Sequence, residues 1–356
     1  MRSLRKSLVL LLLILGLLAA ACGGDDGDSS ADASGGGSSS SAPVDVRLGY
    51  FPNITHAPGI IGVLGGYFED ALPEGDTLKT TTFNAGPEAV QALLTDSLDL
   101  TFIGPNPAIN AFAQSKGSAI RIVSGTTSGG AFLVVKDGID SASDLKGKAI
   151  ATPQLGNTQD VALRAWLKDE GLSADEAGGG DVSIKPQANG DALAAFVGGS
   201  IDGAWVPEPW ASRFIQEGKG HVLVDEADLW PEGKYVTTHL IVRTKFLTEH
   251  PDAVKAILEG LADAIDLTQT DPAKAKELAN QGIEAVTGKP LSQAVLDASW
   301  ENLTFTLDPI ASSLKTSAED AEAVGLLDPV DLKGIYDLDL LNEVLADRGE
   351  PAVKGF

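Results

Sequence analysis

Short apolar runs alternate along this chain with longer stretches of helical periodicity. Val46 to Tyr50 reads as a strand, residues 57–67 as an apolar-periodic helix, Thr80 to Phe83 as a strand, 87–95 as a helix and Leu100 to Ile103 as a strand. The same order returns with Ala149 to Thr152, a helix over 158–170, Val182 to Ile184, a helix over 190–198 and Gly203 to Val206. Strands alternating with helices predict parallel sheets wrapped by helices, and the short connections fit right-handed crossovers.

Residues 46–107 lie over 149–210 without a gap at a constant offset of 103, which sets Thr55 on Thr158, Leu64 on Leu167, Ala85 on Ala188 and Asp99 on Asp202. The shared order of elements carries more weight than these identities in a chain rich in Ala and Gly. A repeated half predicts an α/β protein of two Rossmann-like lobes, with a single doubly wound sheet as the alternative. Two β-rich stretches, Ala131 to Lys136 and Leu240 to Arg243, read as the crossing strands. Lobe one is then 45–131 plus 241–356, and lobe two 132–240. Beyond Pro251 the pattern turns helical: Val254, Ile257, Leu258, Leu261, Ile265 and Leu267 recur mostly at helical spacing, and shorter helices are expected near 272–286 and 291–301.

The N-terminus has a different pattern. Arg2, Arg5 and Lys6 precede an unbroken apolar run from Leu8 to Leu18, followed by Ala19, Ala20, Ala21 and Cys22, the only cysteine. The run has the length of a signal-peptide core and falls short of the roughly 20 apolar residues of a membrane span. A plain signal peptide leaves an unpaired exported thiol. The junction instead resembles a bacterial lipobox, with Ala19 third before the cysteine and Leu18 one place further out. That resemblance implies a lipoprotein signal peptide over 1–21, cleavage before Cys22, lipidation of Cys22, and a protein anchored to the cell membrane facing outside, on the periplasmic or extracellular side. Residues 23–42 are almost entirely Gly, Ser, Asp and Ala, the composition of a flexible tether, so 22–42 reads as lipidated cysteine plus linker.

The formal charge is −24, and loss of Arg2, Arg5 and Lys6 makes it three units more negative. Such a chain is unsuited to nucleic acid, which is bound by neutralising phosphates with Lys and Arg. Hydrophobic residues make up 43% of the chain, enough for an exported domain without disulfides to rest on its apolar core.

Ligands of open parallel sheets bind beyond the carboxyl ends of the strands, where helix N-termini point. Several turns suit that place. Gly104-Pro105-Asn106-Pro107 follows a strand, with Asn106 read as N-cap and Pro107 as the first helical residue. Gly86-Pro87-Glu88 follows another, and Gly156-Asn157-Thr158-Gln159-Asp160 reads as a helix start with Asp160 three residues after the cap. Backbone N–H groups at such ends hold an oxyanion without a cationic side chain.

Four segments together carry a family resemblance: Gly49-Tyr50-Phe51-Pro52-Asn53-Ile54-Thr55-His56, Gly104-Pro105-Asn106-Pro107-Ala108, Asp144-Leu145-Lys146-Gly147-Lys148 and Gly203-Ala204-Trp205-Val206-Pro207-Glu208-Pro209-Trp210. They resemble the periplasmic-type substrate-binding proteins of ABC importers for aliphatic sulfonates, taurine, nitrate and bicarbonate, relatives of the binders of thiamine-pyrimidine precursors. The resemblance covers about 45–300. It implies a periplasmic-binding-protein fold that closes on a small-molecule anion and delivers it to an ABC permease, with an organosulfonate, aliphatic sulfonate or taurine, as the expected ligand. Nitrate, bicarbonate or a pyrimidine precursor are the alternatives, as is a sensory module uncoupled from transport.

Carried onto this chain, the family's cleft puts Phe51, Asn53, Thr55 and His56 at one wall, with Gly86, Asn106, Thr126 and Thr127 completing lobe one. Lobe two offers Gln154, Asn157, Thr158, Trp205 and Glu208, and His239 lies near the return crossing. Neutral donors suit a sulfonate, and Trp205 either packs on its alkyl chain or fills the core beneath the Pro207–Pro209 turn. Glu208 opposite an anion is repulsive unless it points outward, meets a substrate amine or an amino-pyrimidine, or binds a cation. No Gly-x-Ser-x-Gly, phosphate-binding loop or His-Glu-x-x-His is present. Four His and one Cys make no zinc constellation. The expectation is therefore a monomeric binding protein, with neither enzymatic activity nor cofactor.

Overall fold

The computed structural model describes residues 43–356; the expected signal peptide, Cys22 and tether lie outside the described residues. The described chain forms two sheets in place of the alternative single one.

The first half of the repeat runs β1 (Asp45–Tyr50), α1 (Ala57–Leu64), α2 (Tyr67–Ala71), β2 (Thr77–Thr82), α3 (Gly86–Leu94), β3 (Leu100–Ile103) and α4 (Pro105–Gln114). The long strand β4 (Ile120–Gly129) leads into β5 (Ala131–Val135). The second half runs β6 (Ala149–Thr152), α5 (Thr158–Asp169), β7 (Ser183–Pro186), α6 (Asn189–Val197), β8 (Gly203–Pro207), α7 (Trp210–Gln216) and β9 (His221–Asp225). The chain returns through β10 (Val236–Arg243) and continues as α8 (Thr244–Glu249), α9 (Pro251–Thr270), α10 (Pro272–Thr287), α11 (Gln293–Glu301), β11 (Leu303–Phe305), α12 (Ala311–Ala323) and α13 (Asp339–Asp347).

Among the described residues, one sheet has the order β11-β4-β10-β3-β1-β2 and the other β7-β6-β8-β5-β9. In each, three parallel strands (β2-β1-β3 and β7-β6-β8) are followed by an antiparallel neighbour, β10 beside β3 and β5 beside β8. Helices α3 and α6 keep the offset of 103 end to end. Parallel sheets are covered on both faces, and here each sheet has an apolar cluster on either side. Leu48, Phe102 and Leu240 pack with Ile257 and Leu261 of α9 on one face of the first sheet, while Ile103 and Ile241 pack with Ile109 and Phe112 of α4 on the other.

The crossings differ from the expected ones. Ala131 to Val135 lies wholly in the second sheet, and β10 lies in the first from Val236, so the return precedes Leu240. The outward crossing is the pair Gly129–Gly130, whose φ of 85° and 75° are left-handed values that glycine adopts without strain. Helix α4 also starts earlier than expected: Gly104 is its N-cap and Pro105 its first residue, which puts Asn106 inside the helix.

Candidate functional site

The carboxyl ends of the parallel strands in the two sheets face one small cavity of about 20 Å³, room for little more than a water molecule. The turn after β1 supplies Phe51, Asn53, Thr55 and His56; the turns after β2 and β3 add Asn84, Ala85 and Gly104. From the second sheet come Pro153, Asn157, Thr158, Gln159, Asn189 and Pro207, and Thr237 closes the ring from β10.

Helices α3, α4, α5 and α6 all begin at this cavity, and none has its first turn capped by the N-cap side chain. Their positive dipole ends therefore converge on one point; Pro87, Pro105 and Pro107 carry no N–H, so the free first-turn N–H groups come chiefly from α5 and α6, and the arrangement favours an anion. Among the described residues, no Lys, Arg, Asp or Glu lines the cavity. His56 adds no charge either: it is buried, and desolvation pushes its pKa down to about 3. Its ring stacks on Phe51 at 4.3 Å between centroids, and the Phe51 N–H donates to Nδ1 at 3.4 Å.

The two lobes meet around the cavity. Trp210 Nε1 donates to Asn53 Oδ1 at 2.9 Å, and the Gly86 N–H donates to Asn157 Oδ1 at 3.4 Å. A Cβ on Gly104 would stand 2.4 Å from Thr158 Oγ1, so only glycine allows this approach. Thr158 Oγ1 and Asn189 Oδ1 are buried without a hydrogen-bond partner, polar atoms that a ligand can satisfy.

Of the residues expected from the sequence, Phe51, Asn53, Thr55, His56, Asn157 and Thr158 are brought together, and Gly86 touches them through its N–H. Others are placed elsewhere. Asn106, inside α4, donates through Nδ2 to Ser317 O at 2.9 Å. Thr126 donates to Thr238 O at 2.9 Å, and Thr127 is buried in β4 outside the cavity. Gln154 stands beside the lining with a buried, unpartnered Oε1. His239, in the centre of the first sheet, contacts Pro309 O through Nε2 at 3.1 Å. Asn189 was missed, although the offset of 103 sets it on Gly86; Gln159 stood inside the helix-start motif that supplied Asn157 and Thr158 without being singled out, and Asn84 and Thr237 carried no motif.

Trp205 and Glu208 are corrected most clearly. Trp205 is fully buried in the second lobe's core, edge-on to Trp166, and donates through Nε1 to Glu226 Oε2 at 2.7 Å. Glu208 is 1% exposed and satisfied within the protein by Ser212, Ser299 and Asn302, so it meets neither ligand nor cation at the cavity.

Glu226 itself is 2% exposed, and burial raises its pKa from the ordinary 4.5 to about 7. The native state therefore keeps a proton that the unfolded chain releases near pH 4.5, so this group's stabilisation is complete below that pH and is lost as pH rises to about 7. Urea unfolding should show wild type losing about 3 kcal/mol more than Glu226→Gln between pH 4.5 and 8. Parallel pH profiles for the two proteins would refute this.

A family model described as NMT1-like matches residues 39–282. The chain belongs to the NMT1-like family. This NMT1-like chain is 30% identical over 194 residues to the taurine-binding periplasmic protein of Escherichia coli, covering 54% of this chain and 58% of that one. A Bacillus subtilis protein provisionally named as aliphatic sulfonates-binding is 26% identical over 311 residues, covering 85% and 89%. In fold, the NMT1-like chain is similar to the alkanesulfonate-binding protein SsuA of Xanthomonas axonopodis pv. citri bound to MOPS, with a TM-score of 0.70, 22% identity and coverage of 84% of this chain and 100% of that one. The periplasmic nitrate-binding protein NrtA of Synechocystis gives 0.73, 16%, 88% and 92%. These solved structures show the two-lobed periplasmic-binding-protein fold.

Proposed function

We propose that this protein is the solute-binding component of an ABC importer and that it captures a small oxyanion, foremost an aliphatic sulfonate, between its two lobes. The observation that carries this reading is the convergence of four helix N-termini, none capped by its own N-cap side chain, and a ring of neutral side chains on one cavity. A sulfonate is ionised at every ordinary pH and accepts through three oxygens, which suits such a donor set. The sulfonate- and taurine-binding relatives support the same class. Like them, the protein is a binding protein and not an enzyme, acting outside the cytoplasm beside a permease and its ATPase. Lipid attachment at Cys22 holds it there as a monomer. Ligand entry and release are a population shift between open and closed lobes, with 45–129 plus 236–356 as one moving body and 131–225 as the other.

A second reading, nitrate, is favoured by the cavity's small volume of about 20 Å³: either ion requires the lobes to part, and the smaller one requires it less. Titration calorimetry on the full chain with ethanesulfonate, nitrate and bicarbonate tests both. Micromolar binding corresponds to about 8 kcal/mol, and ligand at a hundred times Kd should raise stability by about 2.7 kcal/mol. Absence of heat and of any melting shift with all three would sink the proposal.

A further inference from the structure

The orientation of the cavity's polar side chains is fixed by groups that can only donate. An indole N–H has no lone pair to offer. Because Trp210 Nε1 donates to Asn53 at 2.9 Å, the atom it meets is Oδ1, and the group Asn53 has left for a ligand is its NH2. The Phe51 backbone N–H does the same to His56: it donates to Nδ1, so the neutral ring carries its hydrogen on Nε2. The Gly86 N–H takes Asn157 Oδ1, and Asn157 Nδ2 in turn donates to Gln159 Oε1 at 3.0 Å, which leaves Gln159 its NH2. Asn53, His56 and Gln159 thus spend their acceptors on the protein and keep their donors, while Asn157 is engaged at both ends.

Trp210 is itself held in place. The Arg213 guanidinium lies over its ring at 4.6 Å and is fixed by Glu217, with the Nε–Oε1 contact at 2.7 Å. A Cβ on Gly190 would stand 3.6 Å from the indole edge, in contact with it. The acceptors that remain at the cavity are neutral: the Thr237 hydroxyl, whose proton goes to Gly129 O, the Thr55 and Thr158 hydroxyls, and the amide oxygens of Asn84 and Asn189. Among the described residues, none of the lining side chains is a carboxylate.

We propose that this site reads the ligand's hydrogens: it takes oxyanions with acceptor atoms only and disfavours those bearing an ammonium or hydroxyl, with Trp210 as the positioning residue that keeps Asn53 a donor. A ligand N–H or O–H placed against a committed donor loses its water and gains no partner, which is the costly case. The inference rests on the oxyanion reading above and separates its members. It sets the amine-free sulfonate above taurine, and nitrate above bicarbonate.

Two near-isosteric pairs test it by calorimetry on the full chain: ethanesulfonate against taurine, which adds one terminal amine, and nitrate against bicarbonate, which adds one hydrogen. Wild type should prefer the first of each pair by about 10-fold or more. Trp210→Phe leaves a smaller aromatic ring and removes the N–H, which frees Asn53 to turn its oxygen inward. The preference should then narrow several-fold, an effect that a merely structural role would not produce. A thermal melt of the variant reports its fold separately. Taurine binding as tightly as ethanesulfonate, or equal losses for both in Trp210→Phe, would overturn this inference alone. Silence of all four ligands would overturn it together with the proposed function.

Discussion

Asp160→Ala should lower stability by about 3–5 kcal/mol and weaken ligand binding even where the variant remains folded. Asp160 and Arg164 form an ion pair at 3.0 Å with side chains 0% and 2% exposed. Removing one partner leaves the other charge buried and unpaired, which is the expensive way to break such a pair. The carboxylate also accepts from Thr152 Oγ1 at 2.8 Å and from the Gly156 N–H at 3.0 Å. It therefore ties the end of β6 to the start of α5 and shapes the turn that presents Asn157 and Thr158 to the cavity. In urea unfolding, Asp160→Ala/Arg164→Met should be more stable than Asp160→Ala alone, since it removes the stranded charge. A single-variant loss below about 1 kcal/mol would show that water reaches the pair and screens it.

Glu208→Ala should cost about 3 kcal/mol, measured the same way. Oε1 accepts from Ser212 Oγ at 2.9 Å and Asn302 Nδ2 at 2.8 Å; Oε2 accepts from the Ser212 N–H at 3.1 Å and Ser299 Oγ at 3.0 Å. Its own N–H donates to Gly130 O at 2.8 Å. Burial pushes the carboxyl pKa up while these donors pull against it. Truncation strands the buried Ser212 N–H and hydroxyl and leaves the more exposed Asn302 amide without its acceptor. Glu208→Gln should lose only about 1 kcal/mol, because its amide nitrogen can face Asn302 once that side chain turns its oxygen inward. Equal losses for Ala and Gln would show that the charge, and not the number of acceptors, is what the fold requires.

The architecture was readable because it is periodic. The alternation of strand and helix, the offset that sets Thr55 on Thr158, and the helical spacing from Val254 to Ile265 are local patterns, and the fold preserves them. Thr55 and Thr158, related by the repeat, both line the cavity, though it was the family resemblance that named them as cleft residues. What failed depends on distant residues. Nothing near Glu208 announces that Ser299 and Asn302 arrive some ninety positions later to satisfy it. Trp205 alternates along β8 as either a core or a cleft residue would, and only the buried Glu226 beneath it decides. Asn106 has the look of a cap, but Gly104 and the proline after it start the helix two residues sooner.

The placement of β10 between β3 and β4 bears on how the molecule is made. The second sheet is drawn from one continuous stretch, 131–225, whereas β4 pairs with β10, β11 and, through Ile122, Tyr336, all later in the chain. As the chain emerges N-terminus first, β4 stays unpaired on both edges until everything in the second sheet has been synthesised. An open edge of this kind is an invitation to pair with the wrong chain. The second lobe can assemble from its own residues, while the first is completed only when the returning strand fills the gap, so order of synthesis becomes order of assembly.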